Sequence, residues 1–69
     1  MRNPQLEARR ARLQQTAKIL KNLVPCDYRK ALVTVCMQLG VREQLAREYI
    51  RLAAEWLELE IRNGRIEKR

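Results

Sequence analysis

The side chains that ordinarily carry chemistry are few in this sequence and poorly spaced for it. There is no histidine, which removes the commonest metal ligand and the commonest general base at neutral pH. Cys26 and Cys36 have no second thiol or imidazole near either of them in the chain. That spacing fits neither a zinc site nor a disulfide framework, so both are expected to be reduced thiols. Glu48, Glu55 and Glu58 invite comparison with paired catalytic carboxylates, but without a metal motif they read better as salt-bridged surface groups. What remains is the chemistry of cations. Fifteen Lys and Arg oppose eight Asp and Glu, a formal charge of +7 with a pI near 10.3. Such a surplus points to a polyanionic partner, because neutralising phosphates releases counterions and supplies much of nucleic-acid affinity. No cofactor and no metal are expected, and an enzyme is the class that the composition favours least.

The elements that must position these cations have little material to work with. Sixty-nine residues are expected to form one domain over 1–69, whose core would supply about 3–5 kcal/mol and leave little room for a deep cavity. No apolar run approaches the ~18 residues needed to span a bilayer, and the N-terminus lacks the apolar stretch of a secretory signal. A cytoplasmic chain with no membrane partner is therefore expected. The Arg-rich first 24 residues have the composition of an organelle presequence, yet removing about a third of a minimal domain argues that they belong to the fold.

Pro4, Pro25, Gly40 and Gly64 punctuate the chain into three segments. Asn3 as N-cap and Pro4 in the first turn open the first helix, whose apolar stripe is Leu6, Leu13, Ala17, Leu20 and Val24. Pro25 ends it, since the residue before a proline is pushed out of the α region. The second helix starts at Cys26 or Asp27, the latter a good N-cap, and runs through Leu39 to Gly40. Tyr28, Ala31, Leu32, Val35, Cys36 and Leu39 share its buried face, while Val33 and Met37 lie opposite, where a monomer would leave them in water.

The third segment has no breaker between Arg42 and Asn63-Gly64, and a single long helix is the favoured reading. Gln44, Arg47, Glu48, Arg51, Glu55, Glu58 and Arg62 would form its polar strip. The apolar remainder has Leu45, Leu52, Trp56 and Leu59 on one flank and Ala46, Ile50, Leu57 and Ile61 on the other. That arc is about twice the ~100° that one buried face needs. The competing reading is a C-terminal β-hairpin, a wing: Leu57 to Arg62 alternates strictly, and Asn63-Gly64 is the preferred type I′ turn. Helix is favoured because Leu and Glu prefer it, no turn precedes the strand, and Glu60 would face Glu67 across the ladder.

The strongest local signal runs from Val35 to Ile50. Leu39, Gly40 and Val41, followed by Ala46, Arg47, Tyr49 and Ile50, resemble the helix-turn-helix of small bacterial, archaeal and phage or viral DNA-binding proteins. The likeness covers about residues 29–51. A tight crossing of two helices needs glycine at the turn, an apolar residue just after it, and small or apolar side chains where the helices touch. Cys36 departs from the pattern, where the family usually has Ala, as a small buried replacement. The resemblance implies an all-α three-helix bundle whose third helix enters a DNA major groove. Gln44, Arg47 and Arg51 would then form one outward row for base readout, with Arg42 and Glu43 at the tip; Gln suits adenine and Arg suits guanine. Arg29 and Lys30 would meet phosphates at the start of the second helix.

Three surfaces carry bland alternatives. The row on the third helix also reads as a solvated face with Glu43–Arg47, Arg51–Glu55 and Glu58–Arg62 pairs. Arg9, Arg10 and Arg12, with Arg2, form either a phosphate-binding arm or a solvated face, since helical spacing splays them. Trp56 reads as core or interface before it reads as a base-stacking platform. The surplus apolar arc suggests a homodimer through Leu52, Trp56 and Leu59, joined by Val33 and Met37. The expected function is thus a dimeric, double-stranded-DNA-binding regulator. The alternative is a non-catalytic helical adaptor that packs its apolar surface on a larger replication, transcription or ribonucleoprotein complex.

Overall fold

In the computed structural model, which describes residues 3–69, Pro4 opens the first helix and Pro25, Gly40 and Gly64 fall between successive elements. Helix α1 spans Pro4–Leu23. The Asn3 side-chain oxygen accepts from the N–H groups of Gln5 and Leu6 at 3.0 and 3.3 Å, satisfying two donors that a helix start leaves open. The helix stops where Val24 turns extended ahead of Pro25, as proline sterics require. Helix α2 spans Tyr28–Leu39 and ends on Gly40 at φ 64°, a left-handed cap that glycine adopts without a Cβ clash. Helix α3 follows after Val41 and Arg42 and spans Glu43–Trp56.

The long third helix is not formed. Leu57 closes α3 with its N–H on the Ala53 carbonyl, the Glu58 N–H reaches the Glu55 carbonyl, and Glu58 itself adopts φ 58°. That is the turn the sequence had seemed to lack, made by a residue with no special preference for it. Strand β2, Leu59–Arg62, then pairs antiparallel with β3, Arg65–Lys68, around Asn63 and Gly64 at φ 51° and 74°. Two successive positive φ values are what a type I′ turn demands and what Asn-Gly supplies at low cost. A third strand, β1 at Cys26–Asp27, pairs with β3, so the sheet order is β1-β3-β2. The chain is therefore mostly helical with a small three-stranded sheet, not all-α; Asp27 stands at the N-cap of α2, as expected, and together with Cys26 also pairs with β3.

Why the hairpin wins is visible in its two faces. Leu59 is 7% exposed and Ile66 fully buried, and burying such side chains contributes about 1.5–3 kcal/mol each. On the other face the objection drawn from charge is real: Glu60 stands opposite Glu67, and Arg62 opposite Arg65. Each arginine instead pairs along its own strand, Arg62 with Glu60 and Arg65 with Glu67, both at 3.2 Å. These groups are exposed, and exposed like-charge contacts cost only tenths of a kcal/mol in water.

The core forms where α1, α2 and β2 all pack on α3. Leu20, Val35, Ile50 and Ile66 are its largest fully buried apolar side chains. Thr16 is buried among them, its hydroxyl donating to the Arg12 carbonyl at 2.7 Å, so no polar atom is stranded there. Ala46, Tyr49, Ile50, Ala53 and Ala54 of α3 are buried and Leu45, Leu52 and Leu57 half-buried. Most of the wide apolar arc is thus used within the chain, because the sheet covers a side of α3 that a bundle of three helices would leave open. Leu6 of the predicted α1 stripe stays exposed, in the stretch of α1 before Leu13 where every described side chain faces water.

Candidate functional site

The outward row on α3 is present. Gln44, Arg47 and Arg51 are all exposed, and at helical spacing they lie close to one line. Arg42 is exposed at the N-cap and makes no side-chain capping bond. Arg47 is not idle: its Nη2 lies 2.6 Å from Glu43 Oε1, the expected i,i+4 pair. Glu48 turns away from the row toward α1, where its carboxylate meets Arg9 at 3.1 Å. Glu58 and Arg62, expected on the same helical strip, belong to the turn and to β2.

Arg29 and Lys30 are exposed in the first turn of α2. A groove of about 350 Å³ between α2 and the start of α3 has Arg29 on one wall and Arg47 with Glu43 on the other, so cations from both helices border one depression. The hairpin reaches the same end of α2. The Tyr28 N–H donates to the Gly64 carbonyl at 2.7 Å, which uses one of the open donors of the helix start. Asp27 sits at the N-cap but makes no side-chain capping bond; its carboxylate lies 3.5 Å from Arg65 instead. Arg62 and Arg65, exposed beside the hairpin turn, therefore extend the basic surface, whereas Lys68 lies at the far end of the hairpin beside Lys21 and Val24. Helical periodicity gave no hint of them; the signals were the alternation from Leu57 to Arg62 and the Asn63-Gly64 turn.

The five side chains expected to form a dimer seam are not brought together. Val33 and Met37, 49% and 78% exposed, line the groove between α2 and α3. Leu52 is half-buried and lines a different groove with Leu6 and Leu13 of α1. Trp56 is 59% exposed at the end of α3, whereas Leu59 points into the core from β2. Leu59 leaves the exposed flank because α3 ends before it and strand alternation turns it inward. On α1, Arg9 is engaged by Glu48, while Arg10 borders the α1–α3 groove. Arg12 is exposed, and Arg2 lies outside the described residues.

Both cysteines are free thiols, Cys26 buried and Cys36 half-buried. Burial pushes the Cys26 thiol above its usual range, with Asp27 adding to the rise and Lys30 and Arg65 only partly opposing it. A thiol held protonated is neither nucleophile nor metal ligand. Among the described residues no group of three Cys, Asp or Glu side chains converges as a metal site, and no helix is long and apolar enough to cross a membrane. Compared with protein-family models, with curated proteins and with solved structures, the chain gives no match in any of the three.

Proposed function

We propose that this chain is a winged helix-turn-helix domain that binds double-stranded DNA. The observation that carries the reading is the order of parts around one basic end: α2, a glycine-capped turn, α3 with an exposed Gln44–Arg47–Arg51 row, and a hairpin whose turn is bonded to the start of α2. In this reading the first two turns of α3 enter the major groove, where Gln44, Arg47 and Arg51 read base edges and Arg42 guides the tip. Arg29 and Lys30 hold phosphates together with the positive end of α2. Arg62 and Arg65 of the hairpin add backbone contacts.

The Glu43–Arg47 pair does not weigh against the role of Arg47. An exposed i,i+4 pair contributes about 0.3–0.5 kcal/mol, whereas a good bidentate base contact is worth about 1–3 kcal/mol. Arg47 therefore exchanges a weak partner for a stronger one. As a homodimer the domain would present two copies of α3 to half-sites near one DNA turn apart, the activity of a small transcriptional regulator. Fluorescence anisotropy with labelled duplex DNA at low salt tests the reading. Binding is expected, with a loss of about fivefold or more for Arg51→Ala, and absence of binding at low salt would sink it.

The exposed pair Val33 and Met37 favours a second reading, a helical adaptor that docks on a larger protein through the α2–α3 groove. Met is suited to such a surface because its flexible thioether adapts to its partner. The two readings part at Val33→Ser/Met37→Ser: the adaptor loses its partner, whereas DNA affinity falls by less than about twofold because neither side chain carries charge.

A further inference from the structure

Strand β2 is the edge of the sheet, paired with β3 on one side and, among the described residues, with no strand on the other. In a two-residue hairpin the pair that flanks the turn, here Arg62 and Arg65, exchanges hydrogen bonds, and the pattern alternates down the ladder. The N–H and C=O groups of Ile61 and Leu59 therefore point away from β3, to the open edge. An unpaired edge is a template for another strand, and proteins usually block it. Here the side chains along it are complementary to themselves.

We propose that β2 is a homodimerisation edge, on which two copies of this chain pair antiparallel about a two-fold axis at Ile61. The axis places Ile61 beside Ile61 of the second copy, where the outward N–H and C=O groups exchange two hydrogen bonds. The same register sets Glu60 opposite Arg62 of the other copy, twice. Sliding the axis by one residue would put Glu60 on Glu60 or Arg62 on Arg62, so charge selects one register. Ile61, 42% exposed on an otherwise buried strand face, gains cover. The dimer joins the two sheets as β1-β3-β2-β2-β3-β1.

A second observation points the same way. Within one chain, Glu60 and Arg62 are mismatched, each facing its own charge on β3. Exchanging the two residues would improve the hairpin, so their present order is the poor choice for the monomer and a good one for the edge. The seam is short, and a weak dimer follows, with a dissociation constant of about 100 μM. This inference takes up the dimer in the proposed function and replaces its expected seam, but it needs no DNA and is tested without it.

The test is sedimentation equilibrium from 10 μM to 1 mM, both concentrations chosen about the expected constant. The wild-type mass is expected to rise from the 8.2 kDa of one chain toward twice that value. Arg62→Glu and Glu60→Arg each make the facing pairs repulsive and should weaken association by about fivefold or more, moving the rise in mass to correspondingly higher concentration. The double variant Glu60→Arg/Arg62→Glu restores the facing pairs and should dimerise again. Each of the three removes a like-charge pair from the hairpin, which offsets the exposed Glu60–Arg62 pair that the single variants break, and an unchanged circular dichroism spectrum separates loss of the dimer from unfolding. Ile61→Pro, which removes an outward N–H that β3 does not use, should abolish the dimer with circular dichroism unchanged; should it unfold, the charge series decides. A wild type that stays monomeric at 1 mM, or a dimer indifferent to the charge series, overturns the proposal. Either result leaves DNA binding to be judged on its own titration.

Discussion

Ile66 is the position at which the hairpin and a continuous third helix differ most. It sits on the central strand β3, with Ile61 on one side and Cys26 on the other, and is fully buried. Had the helix continued to Arg62, Ile66 would lie beyond the Asn63-Gly64 cap in an exposed tail, where trimming it changes stability by at most about 0.5 kcal/mol. In the hairpin, Ile66→Ala removes three buried carbons and is expected to cost about 2–5 kcal/mol. A domain of this size holds about 3–5 kcal/mol in all, so the alanine variant should be largely unfolded at 25 °C. Ile66→Val is therefore the more informative change, with a cost of about 0.5–1.5 kcal/mol. At about 4–8 °C per kcal/mol for a small domain, the midpoint should fall by roughly 2–12 °C. Far-UV circular dichroism with urea and with heat reads both variants. A valine variant within 0.3 kcal/mol of wild type, together with a folded alanine variant, would refute the placement of β3 in the core, since no buried position tolerates both so cheaply.

Three other outcomes follow from named contacts. Glu43→Gln should strengthen DNA binding by about two- to tenfold in an anisotropy titration, because it frees Arg47 and removes a negative charge from the interface. Glu58→Gly should stabilise the fold by a few tenths to about 1 kcal/mol in urea denaturation, since the left-handed conformation costs most residues about 1–2 kcal/mol and glycine repays part of that gain as unfolded-chain entropy. Cys26 should make stability depend on alkaline pH. Folding raises its pKa, so its contribution is complete below the ordinary thiol value of about 8.5 and is lost as pH rises through the folded value. The stability of wild type relative to Cys26→Ala should therefore fall between pH 7 and pH 10, by urea denaturation at each, whereas a constant difference would show that the thiol is not buried in the way described.

The helices were legible because each carries its own local punctuation. Asn3-Pro4, Pro25 and Gly40 act through sterics and hydrogen bonds within a few residues, and the structure has α1 and α2 end where they require. The C-terminal third was misread for the opposite reason. Leu59 and Ile66 decide the hairpin by filling a core built from α1, α2 and α3, a gain that no local preference of Leu or Glu reports. Two local cues pointed to it, the alternation from Leu57 to Arg62 and Asn63-Gly64, but the latter fits a helix cap as well as a hairpin turn, and the break at Glu58 uses a residue that announces nothing. Strand β1 is two residues long and exists only because β3 is there to pair with it. The row on α3 was legible from period alone, while the hairpin turn with Arg65 came beside the α2 start only through the sheet. The expected seam side chains are separated for the same reason: α3 ends at Trp56, Leu59 turns into the core from β2, and Leu52 faces α1.

The most direct test of DNA binding is an amide ¹H–¹⁵N NMR titration of the full chain with a short duplex at low salt. Binding through the basic end predicts shifts that concentrate at Arg42, Gln44, Arg47 and Arg51, at Arg29 and Lys30, and around Asn63-Gly64, and that fade as salt is raised. Shifts confined to α1 or to the Val33–Met37 groove, or none at all at low salt, would contradict it.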